Sequence, residues 1–213
     1  MVKLNYTVLD LFPMPLYKST LPALDPITIQ KLKSHEWEHV DGFVTHTETS
    51  NRHLLDKPEY KGLKAEIQKH VDTFVYDVIG VQRDHVWEIT TSWVNRSVPG
   101  QYHVSHWHSN SMVSGVVYIN TNPQSGAILF HKERNHKNLW GDTLRFEFDK
   151  ETDYNTEVVG ILPKTNEILL FPSILNHSVL ENTSKEDRYS LAFNVFPRGI
   201  FGANGNSELD ISI

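Results

Sequence analysis

GQYHVSHWHSNSMVSGVVYIN, residues 100–120, is the stretch from which both the fold and the chemistry of this chain are read. It sets His103, His106 and His108 within six residues and follows them with Met112 to Asn120, a run rich in β-branched residues that reads as a strand. If Tyr102 to His108 is also extended, alternate side chains face opposite ways. His106 and His108 then share one face, and His103 and Trp107 the other. Two imidazoles converging on one point suit a first-row transition metal. The plainer alternative is a histidine that only hydrogen-bonds a neighbour, and with twelve histidines in the chain an H-x-H pair can arise by chance. The motif alone leaves these two readings level.

Outward from this stretch, the pattern is that of many short strands. Val86 to Val98 precedes it, closed by Pro99-Gly100, and Ala127–His131, Thr143–Phe148, Glu157–Leu162, Glu167–Phe171, Ser178–Glu181 and Arg188–Phe196 follow, with Gly and Pro in most of the gaps. Such a block indicates a sandwich or jelly roll. Upstream, Tyr6 to Tyr17 carries Pro13 and Pro15 and suits an edge strand or extended lead-in. Asp25-Pro26 opens a helix that the apolar spacing carries to His39, residues 41–56 read as loop, and a second helix runs from Pro58 to Ile79 with Gly80 as its stop. The fold expected is mainly β, with two N-terminal helices packed on one sheet. The 213 residues suit a single domain: 1–80 as helical support, 86–197 as jelly-roll core and 202–213 as a tail ordered only by a partner.

Composition excludes several classes of function. A net charge of −6, from 20 Lys and Arg against 26 Asp and Glu, argues against general nucleic-acid binding. The absence of cysteine removes disulfides, thiolate metal sites and a cysteine nucleophile. The start of the chain lacks the apolar run of a signal peptide, and no segment approaches the ~20 apolar residues of a membrane span, so a soluble, cytoplasmic protein is expected.

A second half of a site lies in Asn166 to Pro197, where His177 follows the strand ending at Phe171-Pro172 and Arg188 follows eleven residues later. In an extended Arg188–Phe196, Arg188, Ser190, Ala192 and Asn194 share a polar face and Tyr189, Leu191, Phe193 and Val195 an apolar one. Packing the apolar face on helices turns Arg188 inward, where it needs an anion. That anion is either an internal carboxylate or a carboxylate-bearing ligand, held bidentately with help from the Ser190 hydroxyl.

The ordered set of H-x-H, Ser114-Gly115-Val116-Val117-Tyr118, Gly126 to Phe130, Phe171-Pro172 before His177, and Arg188 with Ser190 resembles the iron(II)/2-oxoglutarate-dependent dioxygenases. It is closest to a group of small members with H-x-H and S-G-V-Y-Y motifs found in bacteria and their viruses. The motifs run from Trp93 to Asn194, about half the chain, and the LFPMPLY opening also matches that group. The resemblance implies a double-stranded β-helix, which is a jelly roll, and an enzyme using Fe(II), 2-oxoglutarate and O2, usually to hydroxylate a substrate. It maps His106 and His177 onto the two histidine ligands, and Arg188 with Ser190 onto the clamp for the distal carboxylate of 2-oxoglutarate.

The second ligand in that superfamily is usually Asp or Glu, and here His108 stands there. Face parity favours His108, with Glu133 or Asp142 as acids that would complete the site instead. Tyr118 and Ser114, on one face of their strand, and Tyr102, in phase with His106 and His108, are candidates for the cosubstrate pocket; each tyrosine could equally be an aromatic wedge in the core. Three histidine ligands must be neutral, so iron affinity is expected to fall below pH ~6.5. The rival functions are a cupin-type non-redox metal enzyme and a jelly-roll module without catalysis. The partners expected are 2-oxoglutarate and a primary substrate such as a peptide or small metabolite, with a homodimer as one admissible assembly.

Overall fold

The computed structural model describes residues 5–39, 47–132, 146–202 and 209–211. After an extended lead-in come β1 (Tyr17–Thr20), α1 (Pro26–Lys33), β2 (Trp37–His39) and β3 (Thr47–Thr49). Two 3-10 turns lead into α2 (Lys61–Asp72), which continues as a wider π-helical segment, Thr73–Ile79. The strands of the core are β4 (Val86–Ser97), β5 (His103–His106), β6 (Val113–Asn120), β7 (Ile128–His131), β8 (Val158–Ile161), β9 (Glu167–Pro172), β10 (His177–Val179) and β11 (Arg188–Phe201), followed by β12 (Leu209–Ile211).

Local chemistry explains the helix ends. The Asp25 carboxylate accepts the Thr28 backbone N–H at 2.9 Å, and Pro26 sits in the first turn, where its missing N–H is no loss. Gly80 closes the second helical run in the left-handed region, at φ 81°. The larger sheet has the order β1-β9-β6-β11-β4-β3-β2, with β12 beside the end of β11, and the smaller has the order β5-β10-β7-β8. Every pairing between these strands is antiparallel. This is the expected double-stranded β-helix, with two helices on the larger sheet. No helix among the described residues is long and apolar enough to cross a membrane.

The larger sheet is buried on both faces, which is why β6 and β9 read as continuous apolar runs. On its outer face Val117, Ile119, Ile168, Leu170, Leu191 and Phe193 pack with Leu63, Ile67, Val71 and Phe74 of the helical layer. On its inner face Val116, Tyr118, Leu169 and Phe171 meet Ile128 and Phe130 of the smaller sheet. In β11 the period of two holds as expected: Leu191, Phe193 and Val195 face the helices, while Arg188, Ser190 and Ala192 line the space between the sheets.

Several boundaries differ from the sequence expectation. α1 stops at Lys33, and Trp37 belongs to β2, where its ring packs 5.8 Å from Tyr189 on the sheet; that tertiary contact overrides the helical spacing. Residues 47–49, expected as loop, form β3 and join β4, so the N-terminal region supplies strands as well as helices. The C-terminal tail is not held by a partner molecule alone: Leu209–Ile211 pair with Gly199–Phe201 of the same chain. Of the strand expected at Thr143–Phe148, residues 143–145 lie outside the described residues, and 146–148 are not strand.

Gly115 shows how tightly the outer core is built. A Cβ there would overlap the Phe193 ring and approach the Leu170 side chain at 2.7 Å, both fully buried. Gly115→Ala is therefore expected to destabilise the protein by about 1–3 kcal/mol through overpacking. A urea midpoint unchanged by the substitution would contradict this packing.

Candidate metal centre and its pocket

The strand register itself assembles the site. β10 pairs with β5 so that His177 lies directly opposite His106, and their ring centres are 4.3 Å apart. His108 follows two residues past the end of β5, its backbone N–H bonded to Ser173 O at 3.0 Å, and its ring centre is 5.3 Å from each of the other two. One ring nitrogen from each of the three falls within 4.8 Å of the others. The structure thus brings together the three histidines that the sequence singled out.

Their remaining nitrogens are all occupied. His106 Nδ1 meets Val104 O at 2.8 Å and His177 Nδ1 meets Leu175 O at 3.0 Å. A carbonyl oxygen only accepts, so both Nδ1 atoms carry a proton, which in the neutral ring leaves the lone pair on Nε2. His108 Nδ1 meets Asn194 Oδ1 at 2.8 Å, which gives the same tautomer. Burial, followed by the neighbouring His106, pushes the His108 pKa down against the opposing Asn194 hydrogen bond. The same two causes, in the same order, push His177 down to about 3. Neutral imidazoles with anchored outer N–H groups are the donor set a divalent first-row metal requires, and these residues fit it.

His103 departs from the expected parity. Its ring stands edge-on to His106 at 5.2 Å, and it lines the same cavity. The cause is a bulge: His103 to His106 spans three steps on β5 against two, Val179 to His177, on β10, which turns His103 back to the inner side. Tyr102 precedes the strand, is 41% exposed and does not line the cavity, so the expectation that it shares a face with His106 and His108 is corrected. Glu133 and Asp142, the acids considered as third ligand, and Trp140 lie outside the described residues.

One cavity is lined by the histidines and by Arg188. Arg188 is 4% exposed. Its guanidinium donates to Ser125 O at 3.1 Å and to Ser97 Oγ at 2.8 Å, and its Nε is buried without a partner. No carboxylate pairs with it among the described residues, which removes the internal-salt-bridge reading there. Burial pushes its pKa down, and the nearby Tyr118 opposes that. Ser190 and Tyr118 are buried cross-strand neighbours that both line the cavity, and burial raises the Tyr118 phenol. Ser114 also lines it, but its hydroxyl bonds Ser173 Oγ at 2.8 Å and Asn194 Oδ1 at 3.1 Å. It supports the histidines and is not free for a ligand.

Sequence reasoning placed Asn194 on the polar face without a role and left Trp93 between packing and rim. Trp93 stacks on His108, ring centres 5.8 Å apart at 22°, with the Arg52 guanidinium 5.4 Å above the indole. Its Nε1–H bonds Asn95 Oδ1 at 3.1 Å. The only available signal was that Asn194 keeps step with Arg188 and Ser190.

A jelly roll whose cavity is lined by three clustered imidazoles and by an arginine that no acid among the described residues pairs with defines a class, the double-stranded β-helix proteins with a candidate metal centre. Residues 91–194, about half the chain and spanning all the site residues described, match the model of a family described as "Putative 2OG-Fe(II) oxygenase". Over those residues the chain matches the 2-oxoglutarate/iron(II) oxygenases, enzymes that use Fe(II), 2-oxoglutarate and O2. Solved structures share its fold at low identity. The non-heme alpha-ketoglutarate-dependent epimerase SnoN of nogalamycin biosynthesis is 12% identical, with a TM-score of 0.60 over 86% of this chain and 78% of its own. A prolyl-4-hydroxylase from Pseudomonas putida is 15% identical, with a TM-score of 0.54 over 85% of this chain and 92% of its own. HygX from Streptomyces hygroscopicus, solved with nickel, 2-oxoglutarate and hygromycin B, is 12% identical, with a TM-score of 0.53 over 85% and 82%. No curated protein matches the chain in sequence.

The depressed histidine values set a pH dependence. An unfolded chain takes up a proton at histidine near pH ~6.5, whereas folded His177 resists protonation down to about 3. The metal-free protein should therefore hold its full stability above that range and lose it as pH falls through the window toward 3. His177→Gln should flatten this slope in urea midpoints measured against pH. Loss of metal affinity with falling pH should also be shallower than the sequence led one to expect, because two of the three rings are protected from protonation by burial.

Proposed function

We propose that this protein is an Fe(II)- and 2-oxoglutarate-dependent dioxygenase that couples oxidative decarboxylation of 2-oxoglutarate to hydroxylation of a second substrate. His106, His108 and His177 are the metal ligands, and Arg188 with Ser190 holds the distal carboxylate. One observation carries the reading: three clustered imidazoles and a buried arginine with no acidic partner among the described residues line a single cavity. A dicarboxylate spans such a cavity, one end at the metal and the other at the guanidinium. The same arginine disfavours the cupin-type alternative, because a non-redox sugar isomerase has no use for it.

The bound metal and 2-oxoglutarate together would supply the activation of O2 for oxidising a substrate C–H bond. The chain's own residues have simpler tasks. Arg188 is held by Ser97 and Ser125 and keeps one donor, Nε, over for a carboxylate. The Ser190 hydroxyl adds a donor, and Tyr118, kept protonated by burial, lines the pocket beside it. Val116, Ile128 and Phe171 exclude water around the chain of the cosubstrate. The primary substrate, a peptide or small metabolite, approaches where exposed Trp107, Met112 and Ile174 flank the ligand-bearing loops. The protein works in the cytoplasm as a soluble enzyme on this reading.

Arg188→Ala should weaken 2-oxoglutarate binding by about 2–5 kcal/mol while metal binding survives. Anaerobic calorimetry with Ni(II) and then 2-oxoglutarate measures both; unchanged cosubstrate affinity in the folded variant would refute the clamp. A separate comparison addresses the ligand set. His108→Ala should cost most of the metal affinity, whereas His108→Asp should retain it, since a carboxylate restores the commoner ligand. If Glu133 or Asp142 is the third ligand instead, His108→Ala stays metal-replete and Glu133→Ala or Asp142→Ala does not.

A further inference from the structure

His106 and His177 take their tautomer from backbone carbonyls, which no substitution in the sequence can remove. His108 differs. It lies past the end of β5, and its Nδ1 meets a side chain, the Asn194 carboxamide, at 2.8 Å. An amide has two ends of opposite character. Facing His108 with Oδ1, it accepts a proton from Nδ1 and leaves the Nε2 lone pair toward His106 and His177. Turned over, it would donate to Nδ1, place the ring proton on Nε2 and close that face to any cation.

We propose that Asn194 is the positioning residue that makes a histidine at position 108 competent as a ligand, and that the two form a matched pair. The inference rests on His108 being a ligand, as argued above. The strand register fixes the amide. Asn194 lies across from Thr91 on β4 and from Ser114 on β6, its cross-strand neighbours on either side. Its Nδ2 donates to Thr91 Oγ1 at 3.1 Å, and its Oδ1 accepts from Ser114 Oγ at 3.1 Å. Ser114 is held in turn by Ser173, which bonds Ser111 at 2.7 Å, and all three serines are buried. The pairing of β11 with β4 shifts register immediately after Asn194, the local irregularity that re-aims a side chain.

A carboxylate at position 108 would not need this partner. Both of its oxygens carry lone pairs whatever lies behind them, whereas an imidazole offers a ligand atom only when its far nitrogen holds the proton. Asn194 should therefore matter while His108 is in place and cease to matter once His108→Asp has put a carboxylate there.

The test is a double-mutant cycle read by Co(II) binding, followed from the visible absorption of the ion in the absence of 2-oxoglutarate and O2. Asn194→Leu, similar in shape but without an acceptor, should lower Co(II) affinity about 10–100-fold with His108 present. In the His108→Asp background the same substitution should change it little. Equal losses in the two backgrounds would show a merely structural role and overturn the pairing. No loss from Asn194→Leu, in a protein where His108→Ala does lose Co(II), would overturn the inference alone. Full Co(II) affinity in His108→Ala would overturn the ligand assignment beneath it. Nitrogen-15 NMR of the metal-free wild-type protein gives a check that needs no variant: His108 is expected as the Nδ1–H tautomer, Asn194→Asp should preserve it, and an Nε2–H tautomer in the wild type would overturn the proposal.

Discussion

Three imidazole rings with centres 4.3–5.3 Å apart can share one place only while all of them are uncharged. Two positive charges at such a separation repel strongly in a partly buried site, and each would also lose its hydration. The protein meets this constraint with geometry. It buries His177 and partly buries His108, which pushes both below the usual histidine range, and it gives every Nδ1 an acceptor, so that the rings are aligned before any cation arrives. A cluster that repels protons and presents lone pairs inward suits the one kind of cation that binds covalently, a transition metal.

Holding the cluster is the work of two sheets that meet at one end. The smaller sheet supplies His106 and His177 as opposed residues on β5 and β10, and the larger sheet supplies Arg188, Ser190 and Asn194 from β11. β11 lies between β6 and β4 from Tyr189 to Val195, which holds its inward side chains there in place. Its outward residues are locked by the helical layer, where Phe193 rests directly over Gly115. An error of one residue in β11 would exchange Arg188 for Tyr189 in the cavity, which is why the same packing that stabilises the fold also defines the site.

Much of this was legible in the sequence because it follows from the period of two. The polar and apolar faces of Arg188–Val195 could be read off directly, and Glu167–Phe171 could be read as a strand. What could not be read were features in which local pattern yields to tertiary contact. Trp37 satisfied a helical stripe but packs on Tyr189 from a strand. The parity argument for Tyr102–His108 gave the right pair, His106 and His108, although only His106 is in the strand. It misjudged His103 because a bulge against β10 carries no sequence signature of its own. Asn194 was visible as polar and inward, but its partner, His108, is 86 residues away in the chain. Such a pair emerges only from the register of three strands.

Charge accounting shows what the histidine at position 108 changes. With a carboxylate there, a divalent ion, one carboxylate ligand and the Arg188 guanidinium would bring a net two positive charges to the cavity, which a dicarboxylate would cancel. With three neutral imidazoles the same components carry three, and one positive charge is left over once a dicarboxylate is bound. No acid among the described residues pairs with Arg188 to absorb that excess. The surplus strengthens the attraction for the dianion in a cavity walled by Val116, Ile128 and Phe171, where screening by water is weak. It also makes the metal-loaded site without its cosubstrate the less comfortable state. On the proposed ligand set the dicarboxylate is more than a reactant: its two charges would offset most of the charge that the metal and the buried arginine bring to one cavity.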